Sequence, residues 1–112
     1  MSPDTMFDDY QREALRTTST DKPTLEGLAM ASMGLAGEAG EVVDYIKKHL
    51  FHGHALERDK VCKELGDVLW YLAVLAHMSG LSLTEVAVAN VAKLRKRYPD
   101  GFSTTKSINR TE

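Results

Sequence analysis

Apolar residues recur along the chain at the three- and four-residue spacing of amphipathic helices, and no segment shows sustained alternation of apolar and polar positions. The stretches between these segments contain the Gly, Pro, Ser and Thr residues that are typical of loops. The pattern predicts an all-α fold with four helices, at about residues 6–16, 25–50, 56–78 and 83–98. With 112 residues, 43% of them apolar, the chain fits a single domain over residues 1–112, with an ordered core at about 6–102.

Local capping signals support these boundaries. Thr24 is placed to cap the second helix, and Ser82 with Glu85 forms the capping box expected at the start of the fourth. Gly80 ends the third helix, and the segment YPDGF ends the fourth. The remaining residues, 103–112, have too little apolar content to order themselves, which predicts a flexible tail.

The second helix carries acidic residues at positions that should face a core. At about 100° per residue, Glu38 and Glu41 in the segment GLAGEAGEVVDYIKKHL fall on the same arc as Val42 and Ile46. A solvated position at the edge of an amphipathic face is the usual location of such acids. For Glu38 and Glu41 that alternative is weakened because the third helix repeats the arrangement.

In the third helix, Glu64 and Asp67 of the segment KELGDVLWYL share the arc of Val68 and Leu72. Four carboxylates facing one interior cannot remain ionised unless a positive charge compensates them. We therefore predict a divalent metal site, and an all-oxygen ligand set favours Mg²⁺, with Mn²⁺ as a substitute. A di-iron bundle is disfavoured, because such bundles use Glu-x-x-His.

The fourth helix carries cations where apolar residues had pointed inward. In the segment NVAKLRKRYPDGF, Asn90, Lys93 and Arg97 lie on the arc that Leu83 and Val86 occupy earlier in the helix. Two fixed cations, an amide and carboxylate-held metal ions are what a triphosphate requires. The alternative is that basic residues here only complement the dipole of the helix C-terminus.

Three further side chains invite specific expectations. Cys62 lies in an otherwise apolar helical pattern, which predicts a buried thiol. Trp70 lies away from the acidic arc, so packing is favoured over a role as a platform for a base. Gln11 is open to two interpretations, contact with a base or a solvated helix position.

Charge and composition restrict the environment and the partners of the chain. A net charge of −2 provides no global attraction to nucleic acid or to membranes. The N-terminus lacks a basic segment followed by an apolar run, and the longest apolar stretch is far short of the ~20 residues of a spanning helix, so we expect a cytoplasmic protein. The third helix is apolar on nearly every side over residues 68–78, which predicts that other copies of the chain cover part of it.

The acidic motifs of the second and third helices resemble those of a known family. GEAGEV, with Glu38 and Glu41, and KELGDV, with Glu64 and Asp67, resemble the Glu-x-x-Glu and Glu-x-x-Asp motifs of MazG-like nucleoside triphosphate pyrophosphohydrolases, and the spacer of 22 residues between Glu41 and Glu64 suits that family. The resemblance extends from YQREALRT to ANVAKLRKRYPDGF and so covers nearly the whole chain. It implies a four-helix MazG-like bundle completed by homo-oligomerisation, as a homodimer or a dimer of dimers.

The resemblance also implies an activity, hydrolysis between the α- and β-phosphates of a nucleoside triphosphate, in house-cleaning of the nucleotide pool. It implies Mg²⁺ held by Glu38, Glu41, Glu64 and Asp67, with Glu38 or Glu41 activating the attacking water. Lys93 and Arg97 are then expected to contact phosphates, Asn90 sugar or phosphate, and Tyr98 is a further substrate-binding candidate. Two rival interpretations remain, a nucleotide-sensing module that binds without turnover, and an interaction protein that contacts nucleic acid through KLRKRYP.

Overall fold

Five α-helices make up the computed structural model, which describes residues 5–19 and 21–111. The helices are α1 (Met6–Leu15), α2 (Leu25–His52), α3 (Arg58–Met78), α4 (Leu83–Arg97) and α5 (Thr104–Ile108). Within the described residues there is no β-strand, only an isolated bridge between Pro99 and Gly101. The prediction of an all-α fold is confirmed.

The helix ends follow the predicted caps. The hydroxyl of Thr24 accepts a hydrogen bond from Gly27 N at 2.9 Å. Ser82 and Glu85 form the expected capping box, with Glu85 N donating to Ser82 Oγ at 3.0 Å and Ser82 N donating to the Glu85 carboxylate at 2.7 Å. α2 continues two residues beyond the predicted end, to His52, and Gly53 with its left-handed φ of 73° stops it.

The third helix begins two residues later than predicted, because a buried tyrosine holds the preceding loop. The hydroxyl of Tyr45 donates to Ala55 O at 3.0 Å and accepts from Glu57 N at 2.8 Å. Glu57 is therefore extended, with φ −92° and ψ 124°, and α3 starts at Arg58. The ammonium of Lys60 lies 4.8 Å from the centre of the Tyr45 ring, and this cation–π contact joins the N-terminal end of α3 to α2.

α2 and α3 pack against each other as an antiparallel pair with a regular register. Gly27 faces Met78, and a Cβ at Gly27 would lie 2.7 Å from the Met78 sulfur. Two turns further along α2, Gly34 faces the ring of Tyr71, again with no room for a Cβ. Ala31 packs with Val74 and Met78 between these two contacts. Along α2 the contact positions are spaced by four and three residues, which is the seam of two closely packed helices.

A buried glutamine joins α1 to α3 and α4. The side chain of Gln11 donates to Ala73 O at 3.0 Å and to Leu81 O at 3.2 Å, and accepts from Leu83 N at 3.0 Å. Only 7% of Gln11 is exposed, so neither interpretation of this residue, base contact or solvated position, is correct in this structure. Asp8 adds a second link from α1, since it accepts from the Thr84 hydroxyl at 2.7 Å.

Two other expectations have opposite outcomes. Trp70 packs in the core and its indole N–H donates to Ala14 O at 3.1 Å and to the Thr17 hydroxyl at 2.8 Å, as the packing interpretation predicted. Cys62 is exposed rather than buried. It lies beside Leu65 and Val61 in a surface groove.

α3 and α4 meet at a sharp corner. The two helix axes are bent by 99° at the short connection that contains Gly80, which has a left-handed φ of 76°. No single helix in residues 5–19 and 21–111 is long and apolar enough to cross a bilayer, although the bent pair α3 and α4 meets that criterion by length and composition.

The C-terminal segment contains regular structure that the sequence analysis did not anticipate. Its low apolar content predicted a tail unable to order itself, whereas residues Thr104–Ile108 form α5. Ser103 caps this helix by accepting from Lys106 N at 3.3 Å, and Asn109 N donates to Thr105 O at 3.0 Å. A capping serine provides local order here without an apolar core.

Candidate active site

Three carboxylates from α2 and α3 lie close together on the α2–α3 seam, beyond the contact between Gly34 and Tyr71. One carboxylate oxygen from each of Glu38, Glu64 and Asp67 lies within 4.8 Å of the others. The register explains this convergence. Continued by one turn beyond the contact between Gly34 and Tyr71, it places Glu38 opposite Asp67.

Glu41, the fourth predicted ligand, lies next to this cluster but is not part of it. The same register places Glu41 opposite Glu64, and the charge of Glu41 contributes to raising the pKa of Glu38. Its charge also acts on Lys48, which bonds Asp44 at 2.9 Å. The structure thus brings three of the four predicted acids together, and Glu41 as a ligand stays a prediction.

The acids are less buried than the helical pattern predicted. Within one chain Glu38 and Glu64 are half-buried, while Glu41 and Asp67 are exposed. The expectation of four acids facing a closed interior is wrong for the single chain, because α1 packs on α3 mainly at Leu69, Trp70 and Ala73, beyond the acids.

The electrostatics of the cluster are nevertheless unfavourable without a cation. Partial burial raises the pKa of Glu38, and the charges of Asp67, Glu64 and Glu41 raise it further. In the described part of the chain, no basic side chain forms an ion pair with Glu38, Glu64 or Asp67. A dense, uncompensated set of carboxylate oxygens fits a hard divalent cation such as Mg²⁺ or Mn²⁺.

Tyr10 of α1 is a neighbour of this cluster that the sequence analysis missed. Partial burial raises the pKa of its phenol, and the charge of Asp67 raises it further. The signal in the sequence was the tyrosine's position on the apolar side of α1, which looks the same for a residue that packs only in the core.

The predicted substrate-binding residues of α4 lie in two separate places. Asn90 and Lys93 line a shallow groove with the apolar side chains of Leu81 and Val86. Arg97 is half-buried and lines a different cleft, between the end of α4 and α5. Tyr98 is the C-cap residue of α4, and the centre of its ring lies 5.3 Å from that of the Phe102 ring.

Within one chain these residues are far from the acids. Asp67 lies about 16 Å along α3 from the corner, and Arg97 lies about 21 Å along α4 beyond it. With the axes bent by 99°, the backbones of Asp67 and Arg97 are about 25 Å apart. Asn90 is the nearest of the four to the corner, but its backbone is still about 18 Å from that of Asp67. One chain therefore holds the acids and the α4 cations apart.

Comparison with known families gives an assignment for this arrangement. The profile of the MazG nucleotide pyrophosphohydrolase domain matches residues 28–102, a segment that contains all four predicted acids and the cations of α4. The chain belongs to this family, whose members are all-α hydrolases of nucleoside triphosphates.

A viral protein is similar to this chain over most of the length of both proteins. The Gene 37 protein of Mycobacterium phage L5 is 38% identical over 94 residues, which cover 80% of this chain and 82% of the phage protein. No solved structure gives a significant match.

Proposed function

We propose that the protein is a Mg²⁺-dependent nucleoside triphosphate pyrophosphohydrolase that cleaves between the α- and β-phosphates and releases a monophosphate and pyrophosphate. The observation that carries this proposal is the convergence of Glu38, Glu64 and Asp67 within 4.8 Å in a chain that belongs to the MazG family. A divalent ion bound there would supply charge neutralisation and polarisation of the α-phosphate.

Each site residue has a defined task in this proposal. Glu38, Glu64 and Asp67 hold the metal. Glu41, which lies opposite Glu64, joins them by a change of side-chain rotamer. Glu38 or Glu41 also orients and deprotonates the attacking water. The cations Lys93 and Arg97 neutralise phosphate oxygens, and Asn90 contacts sugar or phosphate. Tyr98 is a further substrate-binding residue.

The separation between the acids and α4 requires a second chain, so we propose a homodimer or a dimer of dimers. The chain has a radius of gyration of 16.9 Å, whereas a compact domain of its length has about 13 Å. Its surface of 8203 Å² exceeds the roughly 6100 Å² of a compact monomer of its mass. Surface in excess of a compact monomer is what a partner chain would cover.

The apolar surface available to that partner differs from the predicted one. The second half of α3, predicted to need other chains, is largely covered by α1 and α2, with Ala73 and Val74 fully buried. Exposed apolar side chains are concentrated instead on α2 and α4, at Met33, Val43, Leu50, Phe51, Val88 and Val91. In the proposed assembly the α4 cations of one copy approach the acids of another.

The decisive experiment combines turnover with a matched variant. Purified protein is incubated with a panel of canonical and modified nucleoside triphosphates and Mg²⁺, and monophosphate and pyrophosphate are measured. Glu38→Gln should lose at least about 100-fold in kcat/KM. The same substitution at Glu26, an exposed residue in the first turn of α2, should leave turnover within about twofold.

The main rival is a nucleotide-sensing module that uses the same acids without turnover. Binding of nucleotide that requires Mg²⁺ and Glu38, with no pyrophosphate release for any substrate, would establish the rival and exclude the hydrolase. A preference for modified over canonical bases would support house-cleaning of the nucleotide pool, which we propose as the role, with the cytoplasm as its location. Membrane association and stable nucleic-acid binding are not expected.

A further inference from the structure

Lys60 lies on the acidic side of the α2–α3 seam, one helical turn from the candidate metal site. It precedes Glu64 by four residues, so the two side chains share a face of α3 and their backbones are about 6 Å apart along the helix. The ammonium of Lys60 lies 4.8 Å from the centre of the Tyr45 ring of α2. The lysine is therefore held at the seam and not on the outer side of α3.

The contact between Lys60 and Tyr45 also defines the register of the seam on the far side of the acids. Steps of four, three and four residues along both helices lead from Gly34 and Tyr71, through the acidic residues, to Tyr45 and Lys60. The carboxylates therefore lie between two observed contacts. At one end a glycine packs on a tyrosine ring, and at the other end a lysine lies over a second tyrosine ring.

The ammonium of Lys60 is accessible to a ligand. Lys60 is exposed, and among the described residues it forms no ion pair with Glu64 or another acid. The ring beneath it is fixed, because Tyr45 is buried and its hydroxyl bonds Ala55 O and Glu57 N. A cation–π contact at an exposed position is weak compared with a charge-assisted hydrogen bond to phosphate. A phosphate group can therefore draw the ammonium away from the ring.

A surface groove connects Lys60 with the metal site. Its volume is about 600 Å³, and it is lined by Glu57, Arg58, Asp59, Lys60, Lys63 and Glu64. The three acidic and three basic residues balance, but Glu64 is a metal ligand in the proposed function, so a bound divalent cation leaves an excess of positive charge. The groove lies at the N-terminal end of α3, where the helix dipole favours an anion, and the side chain of Glu57 does not cap that end.

We propose that Lys60 contacts the β- and γ-phosphates of a nucleoside triphosphate whose α-phosphate lies at the acids, and that it then holds the pyrophosphate product. The inference rests on the proposed function for the position of the α-phosphate. Water bonds to the α-phosphorus and gives its proton to Glu38 or Glu41, and the bridging oxygen leaves on pyrophosphate with the electron pair of the broken bond. The ammonium of Lys60 neutralises part of the charge on this leaving group.

This assignment places a phosphate-binding cation in the same chain as the acids. Within one chain the predicted cations of α4 are far from the acids, and they approach them only in the proposed assembly. Lys60, by contrast, is one turn from Glu64 on the same helix. A single chain then carries both the metal ligands and a cation for the leaving group.

The test is binding of inorganic pyrophosphate to the full chain in excess Mg²⁺, measured by titration calorimetry. Lys60→Gln should bind about tenfold or more weakly than wild type. The control is Lys47→Gln, which removes the same charge from an exposed position about 180° around α2 from Glu38. Asp44, the partner of Lys47, keeps its bond to Lys48, so this variant should bind within about twofold of wild type.

Further variants separate phosphate contact from a purely structural role of the ring contact. Lys60→Arg keeps the charge and the contact with the Tyr45 ring and should restore most of the affinity. Lys60→Met keeps an apolar side chain over the ring without the charge and should bind as weakly as Lys60→Gln. Mg²⁺ alone should raise the melting temperature of Lys60→Gln as much as that of wild type, because the metal ligands are unchanged.

Three results would overturn the proposal. They are no pyrophosphate binding by the wild-type protein, equal affinity of wild type and Lys60→Gln, and loss of the response to Mg²⁺ alone in Lys60→Gln, which would indicate a structural role. Turnover of nucleotides is measured separately. Pyrophosphate binding that depends on Lys60, in a protein without turnover, would support this inference while the proposed function fails. Turnover with unchanged KM and kcat and unchanged pyrophosphate affinity in Lys60→Gln would give the reverse.

Discussion

Gly34 of α2 lies against the ring of Tyr71 of α3 so closely that no Cβ fits at position 34. This contact sets the separation of the two helices one turn before Glu38 and Asp67, the residues that face each other across the same seam. The position of the acids therefore depends on a glycine that takes no part in the chemistry.

Gly34→Ala should lower the free energy of unfolding by about 1–3 kcal/mol, because the Tyr71 ring must move away and α2 must separate from α3. The control is Gly37→Ala, at a helix position where an added Cβ meets nothing within 4 Å. That change should stabilise the protein by about 0.5–1 kcal/mol through helix propensity. Urea denaturation measures both, and a stabilised Gly34→Ala would contradict the close contact.

Gln11 should be required for stability rather than for substrate contact. Gln11→Ala leaves Leu83 N and two carbonyl groups without their partner in a buried position, which should cost about 1–3 kcal/mol in unfolding free energy. Arg12→Ala, at the exposed neighbouring position, should change it by less than about 1 kcal/mol. If Gln11→Ala kept wild-type stability and instead changed the preference among bases, the base-contact interpretation would return.

Glu38 should make the metal-free protein less stable as the pH rises. Its folded-state pKa is raised, so between the unfolded and the folded pKa the native state binds more protons and the melting temperature falls with increasing pH. Without metal at neutral pH, Glu38→Gln should melt above wild type, and the gap should close on acidification toward pH ~4. Thermal melts across this range in EDTA provide the measurement.

Addition of Mg²⁺ should reverse that order. At the proposed site the metal binds the ionised acids of the native state, so it should raise the melting temperature of wild type, while Glu38→Gln should respond weakly. Glu26→Gln, with the same change at an exposed site of α2, should respond as wild type does. Equal stabilisation of all three proteins would place the metal elsewhere.

The exposed face of α4 should mediate association. Val88 is 62% exposed, and Val88→Glu places a charge in the proposed interface, which should shift the mass measured by sedimentation toward that of one chain. Turnover should fall with the mass, since in the proposed assembly the acids and the α4 cations meet only between copies. Val88→Ala keeps the surface apolar and should keep the assembly, and circular dichroism checks that the helices persist. A monomeric wild-type protein with full activity would refute the shared site.

The sequence by itself determined the helices, their caps and the acidic residues at the α2–α3 seam. Helical periodicity and capping act over three or four residues, so Thr24, Ser82 and the spacing of Glu64 and Asp67 are readable without a fold. The family motif is of the same local kind, and the profile match confirms it.

Only the tertiary structure decided which of these residues meet. The register between α2 and α3 depends on contacts such as Gly34 with Tyr71, residues that are far apart in sequence and carry no local signal. The corner at Gly80 separates Arg97 from the acids although the helical pattern predicted an inward-facing arc for all of them, because a helical arc fixes a direction and not a position in space. For the same reason the structural role of Gln11 could be recognised only from the contacts between distant segments.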